Sequence, residues 1–427
     1  MNPLAGLIPD NLLKVVARDE QVPVAKVRTG LADGSIVIPL NRNRRSKPKG
    51  IGRGMRTKVN ANIGTSPDRS NLKLELAKLK IATEAGADTV MDLSTGGDIP
   101  AIRKAILGAA TIPVGTVPLY EASYWARRHG KSFTQLTPGE LLKVIEEHCR
   151  DGVDFITVHC GIRYPALRLL RRRTRLTGVV SRGGSMILEW MTWNRKENPL
   201  YEYYDDLLAI ARENRVCLSL GDGLRPGSIA DATDEAQVSE LVVIGELVER
   251  ARAAGVMAMV EGPGHVPLNQ IQANVMLEKV VCHGAPFYVL GPLVTDIGCG
   301  YDHITSAIGG ALASFHGADF LCYVTPSEHL GLPDAEDVRN GVYAARLAAH
   351  AGDVARGDPR AIRQDRALSE SRSRLDWPGM LSRCLDPERA KRVYRAQASR
   401  TSDVCTMCGE FCAMKKFRES VMRRKKK

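Results

Sequence analysis

Residues 217–227, CLSLGDGLRPG, are a short apolar run that breaks into glycines, an aspartate and an arginine. The run has the length and composition of a buried strand, and the residues after it have the composition of a loop carrying reactive side chains. The pattern recurs in both directions along the chain. NANIG (60–64), MDLSTGGD (91–98), VPLY (117–120), VHCG (158–161), SRGG (181–184), EGPGH (261–265) and YVTPSEH (323–329) all lie at the ends of β-like runs. Amphipathic stretches such as 72–84 and 138–150 separate them, which is the signature of parallel βαβ units.

Nine strands are predicted, at 58–63, 89–93, 113–119, 155–159, 178–181, 217–220, 256–260, 287–290 and 320–324. A (β/α)8 barrel needs eight, so one is peripheral or not a strand. A doubly wound sheet is the alternative. The barrel is preferred because it opens every strand end on one face, where an active site forms, whereas a sheet spreads them along an edge. Residues 1–55 read as a small basic N-terminal region, 56–350 as the barrel, and 351–427 as a helical C-terminal region with a cysteine motif and a basic tail. No internal repeat is evident.

The chain has 427 residues, 44% of them hydrophobic and 25% charged, the balance of a globular protein. Apolar runs such as 241–244 are too short to span a bilayer, so no membrane association is expected. The first twenty residues lack the basic start and apolar core of a signal peptide, which predicts a cytoplasmic location. The net charge is +12, with basic runs at 42–49, 168–175 and 423–427. These suit either nucleic acid or a solvated surface and tail. With only 5% aromatic residues there is no stacking platform, and the solvated reading is preferred.

Seven of the ten cysteines are scattered, mostly in apolar stretches, and read as buried small hydrophobes. The other three form Cys405-Thr-Met-Cys408-Gly-Glu-Phe-Cys412. Three thiolates without a nearby histidine suit a [4Fe–4S] cluster with one iron left open, the position S-adenosylmethionine chelates. A zinc knuckle completed by a distant fourth ligand is the alternative. His265 and His329 lie at strand ends and are metal-capable, though neither has a local chelating partner. Glu261, Glu328, Asp222 and Asp296 are co-ligands by type, and a structural hydrogen-bonding role is the competing reading. Ser181-Arg182-Gly183-Gly184-Ser185 offers backbone amides, a hydroxyl and a guanidinium, the groups that hold a phosphate. Asp222-Gly223-Leu224-Arg225 adds a carboxylate and a second guanidinium. Each loop alone could be only a turn.

VNANIGTSP, DTVMDLSTGGDIP, GTVPLYEA, VSRGGS, LSLGDGLRPGSIADATDEAQ, EGPGHVP, APFYVLGPLVTDI, GYDHITSAIG and CYVTPSEHLGLP together resemble the phosphomethylpyrimidine synthase family, from about residue 50 to about residue 415. The chain is similar to its short-form members. The resemblance implies a (β/α)8 barrel with a C-terminal cluster-bearing segment, in a homodimer whose clusters serve the partner's barrel. It implies radical chemistry with S-adenosylmethionine and a reduced [4Fe–4S] cluster, fed by a donor such as flavodoxin or ferredoxin. The implied reaction turns aminoimidazole ribotide into 4-amino-5-hydroxymethyl-2-methylpyrimidine phosphate. The substrate-contacting positions fall on Asn62, Met91, Tyr120, His159, Ser181, Arg182, Gly183, Asp222, Gly223, Leu224, Arg225, Glu261 and Tyr288. Glu261 and Tyr288 are the candidates for moving protons. The metal-binding histidines, described with zinc or another divalent ion, fall on His265 and His329, and the cluster ligands on Cys405, Cys408 and Cys412.

Two features depart from the family pattern. Three residues, not four, separate Cys408 from Cys412, and Gly298-Cys299 stands where the family shows Ala-Pro. The second leaves open a related branch, 5-hydroxybenzimidazole synthase, which uses the same ribotide. A zinc-dependent nucleic-acid-binding protein is the alternative from another class.

Overall fold

The computed structural model describes residues 3–172, 174–397 and 403–422. Arg173, in the second basic run, and the basic tail at 423–427 lie outside the described residues. The chain divides into two compact units, Met1–Arg356 and Gly357–Lys427. The first opens with helices Asp10–Asp19 and Val24–Ala32 and an antiparallel ribbon of β1 (Ile36–Val37) and β2 (Ile51–Gly52). Eight parallel strands follow: β3 (Lys58–Ile63), β4 (Thr89–Asp92), β5 (Val114–Thr116), β6 (Phe155–Val158), β7 (Cys217–Leu220), β8 (Ala258–Gly262), β9 (Phe287–Leu290) and β10 (Phe320–Cys322). They pair in sequence order, and β10 returns to pair with β3, so the sheet is a closed barrel and the doubly wound alternative falls. Nearly every strand residue is buried, because the barrel interior takes one face and helices cover the other.

Eight of the nine predicted runs overlap these strands, and β8 runs two residues past its predicted end. The ninth, 178–181, is not a strand. Ser181 is instead the N-cap of the helix Arg182–Asn194, its Oγ accepting from the Gly184 amide at 3.1 Å. Val179 and Val180 give the run its β-like look, but Gly178 at φ +68° turns the chain toward the cap. The run at 113–119 is also shorter than expected, because Pro118, which cannot donate to a ladder, starts the helix Pro118–Arg128.

The N-terminal end of the barrel uses one device three times. Gly86, Gly152 and Gly317 end helices at positive φ, and two residues later Asp88, Asp154 and Asp319 stand just before β4, β6 and β10. Each aspartate accepts an amide at the start of the preceding strand: Val59 at 3.1 Å, Val114 at 2.9 Å and Phe287 at 3.0 Å. Each also meets a cation: Lys49 at 3.0 Å and Arg56 at 2.6 Å for Asp88, Arg44 for Asp154, and Lys279 at 2.6 Å for Asp319. The Gly-x-Asp tripeptides are a repeat, but only three residues long.

The second unit consists of helices Pro359–Ser373, Trp377–Arg383 and Pro387–Ala396 and the cysteine segment. Trp377 stacks on Tyr394 with centroids 4.5 Å apart and donates its indole N–H to the Asp403 carbonyl at 2.8 Å, which fixes where the cysteine segment begins. No helix among the described residues is long and apolar enough to cross a membrane.

Candidate active site

The C-terminal ends of the strands surround a cavity of about 360 Å³. Asn62, Met91, Tyr120, His159, Arg182, Asp222, Arg225, Glu261 and Tyr288 all line it, as do His265, His329, Glu328 and Cys322. Of the predicted substrate positions, Ser181, Gly183, Gly223 and Leu224 do not line the cavity. They hold the residues that do.

Ser181 caps the helix that carries Arg182, and its Oγ lies 3.3 Å from His159 Nε2. A Cβ at Gly183 would stand 2.2 Å from the His159 ring, and one at Gly184 would stand 2.1 Å from the Gly223 carbonyl oxygen. Only glycine therefore lets the 181–184 loop, His159 and the 222–225 loop interlock. The Gly223 and Leu224 amides donate to the buried Glu240 carboxylate at 2.9 and 2.7 Å. Arg175, ion-paired to Asp234 at 2.7 Å, donates to the Leu224 carbonyl at 2.7 Å. The loop bearing Asp222 and Arg225 is thus clamped from both backbone polarities.

Two polar atoms at the cavity remain buried without a partner: His159 Nδ1 and Asp222 Oδ2. Uncompensated buried polar atoms are expensive, and at a cavity wall they mark where a ligand's donors and acceptors belong. Burial, with Arg225 nearby, lowers the His159 pKa to about 3, so its imidazole is neutral. Burial lifts the Asp222 carboxyl to about 8 against the pull of Arg225, whose guanidinium is 3.3 Å away. The Arg182 guanidinium sits over the Tyr120 ring, 4.8 Å from its centroid, and so stays aimed at the cavity. Glu261 Oε1 accepts from Thr157 Oγ1 at 2.7 Å and Ser219 Oγ at 2.8 Å, and burial raises its pKa. The Tyr288 hydroxyl faces Met91 Sδ at 3.5 Å, and its ring stacks on Phe320.

His265 and His329 come together at the rim. Their Nε2 atoms face each other at 3.3 Å, and the rings' other nitrogens meet carboxylates: His265 Nδ1 with Asp296 Oδ1 at 2.8 Å, and His329 Nδ1 with Asp302 Oδ2 at 3.1 Å. Two nitrogens each ~2.1 Å from one tetrahedral ion stand about 3.4 Å apart, so this pair fits a shared divalent metal. The carboxylates are where the outer partners of metal-bound imidazoles belong. His329 holds a left-handed backbone (φ +62°), strain of the kind stored at functional positions. Asp296, a co-ligand by type, instead orients His265 and accepts from the Ile229 amide at 3.0 Å.

Asp302, Glu240 and Cys322 escape a reading of the sequence alone. Asp302 and Glu240 lie inside helices, where acidic residues are unremarkable. Cys322 has the sequence context of a buried hydrophobe, yet its thiol lines the cavity and accepts from the Asn62 amide nitrogen at 3.1 Å. In the second unit Cys405, Cys408 and Cys412 are free thiols on consecutive tight turns. The Gly409 amide donates to the Cys405 carbonyl at 3.0 Å and the Phe411 amide to that of Cys408 at 2.9 Å. Three soft donors on one compact loop suit an iron–sulfur cluster with an open iron.

The family model described as the radical SAM ThiC family matches residues 4–419. A phosphomethylpyrimidine synthase of Moorella thermoacetica is 56% identical over 404 residues, covering 94% of both chains. That of Desulforamulus reducens is 54% identical with the same coverage. That of Dehalococcoides mccartyi (strain BAV1) is 56% identical over 94% of this chain and 93% of its own. With a match this long and relatives this similar, the chain belongs to the radical SAM ThiC family.

Proposed function

We propose that the chain is a radical S-adenosylmethionine lyase that converts aminoimidazole ribotide into 4-amino-5-hydroxymethyl-2-methylpyrimidine phosphate, the pyrimidine half of thiamin. The relatives carry the activity's name, and the observation that supports the substrate is the unpartnered His159 Nδ1 and Asp222 Oδ2 beside two guanidiniums in one cavity. The relatives support this reading over 5-hydroxybenzimidazole synthase, and family membership sets aside the nucleic-acid reading.

When bound through Cys405, Cys408 and Cys412, the reduced [4Fe–4S] cluster with S-adenosylmethionine supplies the 5′-deoxyadenosyl radical. The chain's own residues bind, orient and shield the substrate. Arg182, at the N-terminus of its helix, holds the ribotide phosphate by charge-assisted hydrogen bonds. Asp222 and the neutral His159 take the ribose and amine groups, which satisfies their orphaned atoms. Met91 and Tyr120 pack on the ligand and exclude water, so that a reactive intermediate rearranges before it is quenched. Glu261 has Oε1 committed to Thr157 and Ser219, so Oε2 is the atom that exchanges protons with substrate. Burial raises its pKa, which favours its taking up a proton. Tyr288 is the second proton-carrying candidate.

His265 and His329 hold zinc or another divalent ion that positions ligands at the rim. The protein works in the cytoplasm with a flavodoxin- or ferredoxin-type donor. It pairs with a second copy through neighbouring helices that leave large apolar residues exposed: Met276 and Val280 on Ile271–Val281, Ile304 and Ile308 on Asp302–His316, and Leu347 on Ala335–Ala355.

Anaerobic reconstitution with iron, sulfide and S-adenosylmethionine, followed by identification of the product formed from aminoimidazole ribotide, tests the reading. Cys405→Ala, Cys408→Ala and Cys412→Ala should each abolish 5′-deoxyadenosine formation while the barrel stays folded. Undiminished 5′-deoxyadenosine in any of them overturns the cluster assignment. A benzimidazole product overturns the pyrimidine.

A further inference from the structure

The Gly298-Cys299 dipeptide lies next to His329, one of the two rim histidines. A turn closed by the Tyr301 amide on the Gly298 carbonyl at 2.7 Å carries Cys299 at the rim and leads directly into the helix that begins with Asp302. Cys299 is exposed and free. Its sulfur, an Asp302 carboxylate oxygen and a ring nitrogen of His329 all lie within 4.8 Å of one another. Sulfur and nitrogen ligands on one tetrahedral ion, at ~2.3 and ~2.1 Å from it, stand about 3.6 Å apart. Cys299 is exposed, and the proposed set requires its side chain to turn so that the sulfur approaches His329 Nε2, the nitrogen that faces His265. Asp302 is already paired to His329 Nδ1, which leaves the thiol as the donor of this trio without a role.

We propose that Cys299 supplies a thiolate ligand to the metal ion held by His265 and His329, making a two-histidine, one-cysteine set in this chain. This rests on the reading of the two histidines as metal ligands. On binding, the thiol gives up its proton to solvent and sulfur donates to the metal. A mixed imidazole–thiolate set at tetrahedral spacing selects zinc over the hard cations magnesium, calcium and manganese. Three protein ligands would leave a fourth coordination position open, as in catalytic rather than structural zinc sites.

The test is zinc K-edge X-ray absorption on the full-length holoenzyme, with its iron–sulfur cluster assembled and no S-adenosylmethionine present. The method sees only zinc, so the iron-bound cysteines do not contribute. Wild type should show one sulfur at ~2.3 Å beside nitrogen and oxygen at ~2.0–2.1 Å. In Cys299→Ser the sulfur shell should vanish, and zinc should be lost to a chelator at least roughly tenfold more readily, the lower bound for even an outer-shell loss. A wild-type spectrum without sulfur, or a sulfur shell that persists in Cys299→Ser, overturns the proposal. The histidine reading is judged separately by zinc content: His265→Ala and His329→Ala should each lose the metal whatever Cys299 does. Zinc retained in both at the wild-type level overturns that reading and this one with it.

Discussion

At the N-terminal end of the barrel the buried Asp88 spends its carboxylate fully, on Lys49, Arg56 and the Val59 amide. At the C-terminal end Asp222, also buried, is met only by Arg225 at 3.3 Å and leaves Oδ2 with no partner. The pKa shifts run in opposite directions. Against the pull of burial, Arg56, Lys49 and Lys58 hold Asp88 far below the usual carboxylate range, whereas burial carries Asp222 up to about 8. The same eight strands support both ends, so burial alone does not separate them. What separates them is whether the charge is already satisfied: satisfied groups at one end stabilise the fold, and unsatisfied groups at the other await a ligand.

The sharpest way to break this contrast is Asp88→Ala. Removing the shared anion strands Lys49 and leaves Arg56 only Glu20, and denaturant unfolding should show a loss of about 3 kcal/mol, the low end of the range for a broken buried pair because Arg56 keeps a partner and is partly exposed. Ribotide affinity of the folded protein should not change. Unaltered stability, or a matching fall in affinity, would erase the distinction between the ends.

Arg182→Ala should do the reverse. Calorimetric titration should find ribotide binding weaker by about 1.5–3 kcal/mol, while the unfolding midpoint hardly moves. The unphosphorylated riboside should lose much less, and equal losses for both ligands would move the phosphate to Arg225.

Asp222→Asn sharpens the comparison through pH. An unfolded aspartate titrates near ~3.9, and the folded one is held at about 8. The folded state therefore keeps a proton that the unfolded chain releases, and this group's contribution to stability falls as pH climbs through that window. The asparagine variant lacks the term. Without ligand its stability should be flatter between pH 5 and 8, by no more than about 1.4 kcal/mol per pH unit. A wild-type slope in the variant would mean that the carboxylate is ionised in the folded protein. The smallest effect belongs to the exposed Lys80–Glu84 pair, 3.8 Å apart on the helix Leu72–Ala85. Glu84→Gln should change stability by at most about 0.5 kcal/mol, and a larger loss would mean that surface charge matters as much as buried charge.

The barrel is legible in the sequence because each apolar run stops at glycine or charge, as Leu220-Gly221-Asp222 does. Valines before Ser181 imitate a strand, and nothing local distinguishes them from one. The residues that reach the cavity from strand ends, from Asn62 to Tyr288, are readable from their loops and from family resemblance. The meeting of His265 with His329 is not, since 64 positions separate them and only barrel closure brings them to 3.3 Å. Supports such as Glu240 and Asp302 stay hidden because an acid on a helix looks like solvent-facing surface until the fold shows which backbone amide or imidazole it meets.

Barrel closure also sets a timetable. β3 ends at Ile63, and its partner across the seam, β10, begins at Phe320. At synthesis rates of ~5–20 residues per second, one edge of β3 waits roughly 13–50 s for that partner to be made. For that interval the nascent chain carries an open, hydrogen-bond-hungry strand edge, the kind other chains add to. Translation speed between those two strands therefore sets how long the edge stays open before the barrel can close.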